Sequence, residues 1–324
     1  MKLCRIMFLH PAIRSEDDVR RLLRFDEREY GLLFELDNYS PEYVIGSEMI
    51  YSNTHYRKMF CDQLKKNSIK VFYAGECVCA DLNIFDYAIV FDKHLEYDDR
   101  VGRMPTVLYF LGSVNPPFRK INIQGRPEKR EFCSFIYSNP YAHPYRDELF
   151  YIINRYRMVH SFGRHLNNAT IRKEDRHDNW REESIRIKSR YKFSISAENA
   201  KYSGYTTEKI IHTFQAGSVP IYWGNPLVVE EFNIRSFIYI DENESECDII
   251  DKVQKINEND ELYMRMLNEP WMTNEQLSRA ESDARKYYSF LDNLFKQRFV
   301  NAKRAGSGTW SELYHNWFSN IECR

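Results

Sequence analysis

The sequence predicts an α/β protein made of two successive domains with parallel sheets, and three observations carry that expectation. Short β-branched and aromatic runs alternate with helical stretches, which implies parallel strands with helices on their faces. The alternation breaks off in an irregular stretch from Val101 to Arg130, where Pro105, Pro116, Pro117 and Pro127 stand among basic and glycine residues, and then restarts. At 324 residues the chain is long enough for two domains of ordinary size.

Each element follows from its local pattern. CRIMFLH reads as an opening strand rather than a leader, because Arg5 and His10 break its short apolar run. EDDVRRLLRFDEREYGLLFEL carries helix-forming segments, YVIG a short strand, and HYRKMFCDQLKKN a helix ending at Asn67. IKVFYAGE and FDYAIVFD are further strands. After the proline-rich stretch, EFCSFIYSN is a strand and PYRDELFYIINRYRMVH a helix, followed by the polar loop GRHLNNATIRKEDRHDNWREES. YKFSISAEN is a strand, TTEKIIHTFQAG a helix, and SVPIYWG and SFIYID are strands. CDIIDKVQKIN and the long TNEQLSRAESDARKYYSFLDNLFKQRFVNA close the pattern as helices. The expected domains are 1–125 and 126–299, facing each other across a cleft, with a helix at 300–324 packing back on the first.

Composition narrows the function. Hydrophobic residues at 43% and charged residues at 29% suit a soluble globular chain. A formal charge of −1 argues against a general nucleic-acid binder, which needs a basic surface to neutralise phosphates. Seven scattered cysteines point to reduced cytoplasmic thiols, and no run approaches the length of a membrane span. Peripheral contact with the inner membrane surface stays open. His160, His165, His177 and His212 lack ligand spacing and read as polar side chains facing solvent, while Tyr222 and Trp223 read as core.

The chemistry gathers in SAENAKYSGYTTEKIIHTFQAGSVPIYWGNP, Ser196 to Pro226. In a parallel sheet, ligands sit beyond the carboxyl ends of strands, where loops lead into helix N-termini. Thr206 or Thr207 opens such a helix, whose unpaired N–H groups favour an anion such as a diphosphate. Lys209 stands in its first turn, where a cation opposes the helix dipole and is easier to explain beside an anion. Glu208 suits the dipole and has the acceptors for sugar hydroxyls. The same residues also suit an exposed, capped helix start with solvated Lys and Glu, and the pattern alone decides neither.

The string Glu198-Asn199, Gly204-Tyr205-x-Thr207-Glu208-Lys209-Ile210 and Val219 to Pro226 closely resembles the signature of the α-1,3-fucosyltransferases of glycosyltransferase family 10, in its bacterial, membrane-free branch. Ala197 and Thr206 stand where that family usually has Phe and Val. KREFCSFIYSNPYAHPYRDELF resembles its donor-domain opening and places Arg146 in the role of the motif's arginine, with one residue inserted after Asn139. VFYAGE, LNIFDYAIVFD and DRVGRMP resemble its acceptor-domain segment, with Cys77 in place of the usual Asn after Gly75-Glu76. The resemblance runs from about Ile69 to Asp241.

It implies a GT-B fold of two facing Rossmann-like domains and inverting transfer of L-fucose from GDP-fucose. The implied acceptor oxygen is O3 of GlcNAc, or of Glc, in an N-acetyllactosamine or lactose unit, giving Lewis-type structures. Glu76 would be the general base, made more basic by partial burial. Arg146, bidentately, and Lys209 would bind the diphosphate in place of a metal, consistent with the lack of Asp-x-Asp and His-Glu-x-x-His motifs. Asn199 and Tyr205 would hold nucleotide or fucose, and Glu208 ribose or fucose hydroxyls. The loop at 172–181 is expected to be ordered by GDP. The alternatives are α-1,4 transfer or another acceptor on the same fold, and a catalytically silent nucleotide-sugar or glycan-binding protein.

Overall fold

A computed structural model describes residues 1–64, 66–96, 99–112, 130–297 and 309–320, without the side chain of Trp310. The chain divides into two compact units, Met1–Val114 with Ala280–Arg324, and Asn115–Arg279.

The first unit holds a six-stranded parallel sheet: β1 (Lys2–Leu9), β2 (Leu32–Leu36), β3 (Tyr43–Ser47), β4 (Ile69–Tyr73), β5 (Tyr87–Val90) and β6 (Val101–Arg103), in the order β2-β1-β3-β4-β5-β6. Both faces are covered, so the strands are apolar nearly throughout rather than alternating with polar residues. Cys4, Ile6, Phe8, Tyr43, Ile45, Val71 and Tyr73 point into one core layer, and Met7, Leu9, Val44 and Phe72 into the other. That is the period-2 alternation of a strand.

GLLFEL, expected within a helical segment, is strand β2. Leu32 and Phe34 are buried while Leu33 and Glu35 are exposed, which is a strand period, and Gly31 separates it from the preceding turn. The irregular stretch also starts later than expected, since 101–103 is β6 and Thr106–Leu111 is helical. Its remainder, 113–129, including the expected boundary at 125, lies outside the described residues.

The second unit repeats the plan with β7 (Glu131–Phe135), β8 (Val159–Ser161), β9 (Tyr191–Ala197), β10 (Val219–Trp223) and β11 (Ile238–Tyr239), ordered β11-β10-β9-β7-β8 and parallel. Tyr222 and Trp223 are fully buried, as read from the sequence. The polar loop expected over 163–184 contains a 3-10 turn, Lys173–Asp175, and runs into a helix, Trp180–Lys188. Asn179 caps that helix by accepting the Arg181 N–H. Within the segment expected to be ordered by GDP, Arg172 bonds Glu131 at 2.5 Å and Arg190 bonds Asp175 at 2.6 Å.

The helix Asn274–Lys296 differs most from the expected domain plan, which gave it to the second domain as far as 299. From Ala280 it belongs to the first unit, where Ala284, Tyr287, Leu291, Leu294 and Phe295 complete a core layer. Lys2 and Tyr43 bond the Phe295 carbonyl at 2.8 and 3.0 Å, satisfying an acceptor at the helix end. The helix Thr309–Ser319 adds to the same unit by burying Phe318 beside Phe60 and Tyr51, and by a Tyr314 hydroxyl bond to Asp81. The ends of the expected closing segment, 300–308 and 321–324, lie outside the described residues.

Candidate active site

Each sheet places its first and third strands side by side, so strand order reverses there, and the carboxyl ends at such a point form the ligand crevice of open α/β sheets. In the second unit the pair is β7 and β9. The loop after β7 leads to Arg146, in the first turn of the helix Tyr145–Tyr156. The loop after β9 carries Glu198 and Asn199 and leads to the helix Glu208–Gln215. That helix is seated by burial of Ile210, Ile211 and Phe214, worth about 1.5–3 kcal/mol each.

Arg146 is 1% exposed, not a solvated helix residue. Its Nη1 donates to Asn199 Oδ1 at 3.3 Å and its Nη2 to the Asn139 carbonyl at 2.6 Å. Its guanidinium lies 4.7 Å from the centre of the Tyr137 ring, and its buried Nε makes no hydrogen bond. Arg146 thus joins the two loops of the switch point. His143 N–H to the Asn199 carbonyl, 2.8 Å, is a second tie between them.

The residue that organises the β9 loop is Glu198, which sequence reasoning quoted but gave no role. It is fully buried. Its Oε1 accepts the Thr207 N–H at 2.8 Å, and its Oε2 accepts the Thr207 hydroxyl at 2.6 Å and lies 3.1 Å from Lys209 Nζ. Lys209 also donates to the Thr207 hydroxyl at 2.9 Å and lies 3.6 Å from Glu208. The cation that opposes the helix dipole therefore has an internal anion. Burial works against the Lys209 charge, but Glu198 and then Glu208 overcome it and hold the ammonium above the ordinary lysine range. Burial likewise opposes the Glu208 charge, but Lys209 together with the residue's own N–H overcomes it and keeps that carboxyl below its usual range.

Two consequences bear on ligands. Thr207 is the N-cap of the helix, yet its hydroxyl is turned to Glu198 and makes no side-chain cap. The helix thus lacks the N-cap side-chain acceptor that usually satisfies a first-turn N–H. Asn199, Glu208 and Lys209 reach the surface of the unit, whereas Tyr205 is buried at 3% exposure. Asn225 locks the far side of the loop by accepting from Gly204 N–H at 2.8 Å and donating to the Thr206 hydroxyl at 2.9 Å.

Beneath the helix lies Lys188, which the sequence did not single out. Its ammonium contacts the Lys209 carbonyl at 3.2 Å and the Thr213 hydroxyl at 3.0 Å. Burial lowers its pKa to about 7. His212, expected to face solvent, is buried instead, with its ring 5.7 Å from that of Trp180. Burial holds it neutral by lowering its pKa to about 3.

In the first unit the switch point lies between β1 and β3, with β4 next to β3. Their carboxyl ends carry His10, Glu48 and Gly75-Glu76. Glu76 is exposed, so the partial burial asked of it is absent from this structure; the buried carboxylate here is Glu48, at 9% exposure. Among the described residues no group of three His, Cys, Asp or Glu is arranged to hold a metal ion, and no helix is long and apolar enough to cross a membrane.

Comparison with known proteins decides the family. The C-terminal region of glycosyltransferase family 10 (fucosyltransferase) matches residues 126–298. The chain belongs to glycosyltransferase family 10. This family-10 chain also matches the α-(1,3)-fucosyltransferase FucT N-terminal domain over residues 25–110. It is 36% identical over 156 residues to the putative fucosyltransferase R654 of Acanthamoeba polyphaga mimivirus, covering 46% of this chain and 25% of that protein. It is 30% identical over 236 residues to the α-(1,3)-fucosyltransferase FucT of Helicobacter pylori, covering 63% of this chain and 47% of that protein. In both alignments the match spans less than half the length of the relative. A crystal structure of an α1,3-fucosyltransferase with GDP-fucose superposes with a TM-score of 0.67 at 22% identity, covering 92% of each chain, and establishes the GT-B fold.

Proposed function

We propose that this family-10 chain is an inverting α-1,3-fucosyltransferase. It moves L-fucose from GDP-fucose to O3 of the GlcNAc, or Glc, of an N-acetyllactosamine- or lactose-type acceptor. The observation that carries the donor half is the first turn of the helix Glu208–Gln215, where Lys209 stands beside N–H groups that have no side-chain cap. Such a turn suits a diphosphate. Lys209 supplies positive charge to the departing GDP, and Arg146 joins it by exchanging its bond to Asn199 for a phosphate oxygen. With two cations and a helix N-terminus at the diphosphate, the leaving group is stabilised by the protein's own charges, so the reaction proceeds without a metal. Asn199 and Tyr205 line the nucleotide-sugar side, and Glu208 accepts hydroxyl hydrogen bonds from ribose or fucose.

Glu76 takes the proton of the acceptor hydroxyl as that oxygen attacks the anomeric carbon and GDP leaves. Its position beyond β4, beside the switch point of the first unit, supports this role. The sugar-nucleotide complex of the solved relative and the name of the Helicobacter relative support the donor and the linkage.

The test is GDP release from GDP-fucose with N-acetyllactosamine, in EDTA, for the wild type and Glu76→Ala. Turnover should survive EDTA and fall by at least about a hundredfold in the variant. Failure of GDP-fucose to bind the wild type at all would sink the donor assignment. Release with an α-1,4-type acceptor alone would replace the acceptor, and release with lactose alone would narrow it to Glc.

A further inference from the structure

The residue before Glu76 is gripped by a second carboxylate. Glu48 directly follows β3 and opens the short helix Met49–Ser52. Its Oε2 accepts the Gly75 N–H at 3.0 Å. The carboxylate also lies flat against Gly75, so that a Cβ there would meet Oε1 at 3.0 Å and Oε2 at 3.1 Å. A side chain at position 75 would therefore press on the Glu48 carboxylate, which would have to give way slightly. On the other side of the base, Val78 N–H donates to the Glu76 carbonyl at 2.7 Å. The main chain of Glu76 is thus fixed at both flanks, and the anchor on one flank is an ionisable side chain reaching over from the neighbouring strand.

A buried carboxylate is an expensive anchor. Burial raises the Glu48 pKa; its own N–H and that of Gly75 pull it down, and the negative charge of Glu76 adds to the rise. A neutral acceptor would hold one N–H at lower cost. The bond to the Gly75 N–H sets the orientation of the Ala74–Gly75 peptide, which leads directly into Glu76. An exposed side chain gains precision mainly through its backbone, and an error near 1 Å in the placement of a reacting group costs as much as about a hundredfold in rate.

We propose that Glu48 is a positioning residue for Glu76, holding the Ala74–Gly75 peptide that leads into Glu76 in the orientation from which Glu76 takes the acceptor proton. This rests on the reading of Glu76 as the base. Steady-state kinetics with GDP-fucose and N-acetyllactosamine test it on Glu48→Ala, Glu48→Gln, Glu76→Ala and the double variant Glu48→Ala/Glu76→Ala, with calorimetric donor binding alongside. Glu48→Ala should lower kcat about tenfold to a hundredfold and leave the GDP-fucose Kd within about twofold. Glu48→Gln keeps an oxygen for the Gly75 N–H and should recover most of that loss. The double variant should be no slower than Glu76→Ala alone, which a purely structural role would not produce. If Glu48→Ala does not fold, Gly75→Ala, whose new methyl presses on the carboxylate, should give a smaller loss that is also confined to kcat.

A wild-type kcat in Glu48→Ala beside an inactive Glu76→Ala overturns the positioning role alone. A double variant slower than Glu76→Ala by the full Glu48→Ala factor overturns it as well. Normal turnover by Glu76→Ala overturns the base assignment, and the positioning role with it.

Discussion

The two units wind their sheets in the same order, the first strand lying between the second and third and the later strands following outward, yet they furnish their switch points in opposite ways. In the second unit, the buried Glu198 ties Thr207 and Lys209 together, and the buried Arg146 is tied to Asn199. In the first unit an exposed carboxylate, Glu76, stands on a glycine held from below by Glu48. The contrast teaches that the candidate diphosphate residues are also structural, because buried charges need partners whether or not ligand is present. The candidate base is set on the surface of its scaffold, where its removal costs little stability.

Substitutions can break this contrast, and the largest expected effect is at Glu198. Glu198→Ala leaves the Lys209 ammonium buried without its main partner and should cost about 3–5 kcal/mol in urea denaturation. Replacing both partners with apolar residues, Glu198→Leu with Lys209→Met, should cost clearly less; an equal loss would show that the network holds the loop by shape rather than charge.

Lys188 gives the next effect, read as a pH slope. Its pKa in the folded protein, about 7, lies below the ordinary lysine value of 10.5, so the unfolded chain holds the proton more tightly. Between those values the unfolded state binds the extra proton, and the contribution of this group to stability therefore rises with pH, by up to about 1.4 kcal/mol per pH unit. The difference in unfolding free energy between wild type and Lys188→Met should show that slope between about pH 7 and 10; a flat difference would mean that the lysine is charged where it lies.

Gly224 comes third. A Cβ there would sit 2.4 Å from Glu198 Cγ, at a φ of +148° that side chains rarely adopt. Gly224→Ala should cost more than about 1 kcal/mol and weaken GDP-fucose binding, as read by calorimetry. Smallest is the stability change in Glu76→Ala, expected within about 0.5 kcal/mol of wild type in the same urea experiment that registers Glu198→Ala. A loss as large as that of Glu198→Ala would erase the contrast between the units.

Much of this was legible in the residues. The long motif from Glu198 to Pro226 led to family 10, and apolar runs such as YKFSISA and VPIYW marked central strands, because a sheet covered on both faces needs continuous apolar sequence. The strands β2, β6 and β8 were missed for the complementary reason. They are edge strands or next to helical sequence, they are only five, three and three residues long, and helix-forming neighbours mask so short a period. The helix Trp180–Lys188 was missed because its charged face hides a buried side made by Ser184, Ile187 and Lys188.

The sequence by itself determined the fold class, the family, the presence of Arg146, Asn199, Tyr205, Glu208 and Lys209 at strand-to-helix junctions and that of Glu76 beyond the end of a strand, since motif spacing and hydrophobic period are local properties of the chain. Tertiary structure alone decided which of those residues are buried, that Glu198 rather than a ligand already neutralises Lys209, that Glu48 reaches Gly75 from the neighbouring strand, and that the long helix crosses from one unit to the other. Each of these depends on contacts between residues distant in sequence, and the energy of a buried charge is set by what surrounds it in space.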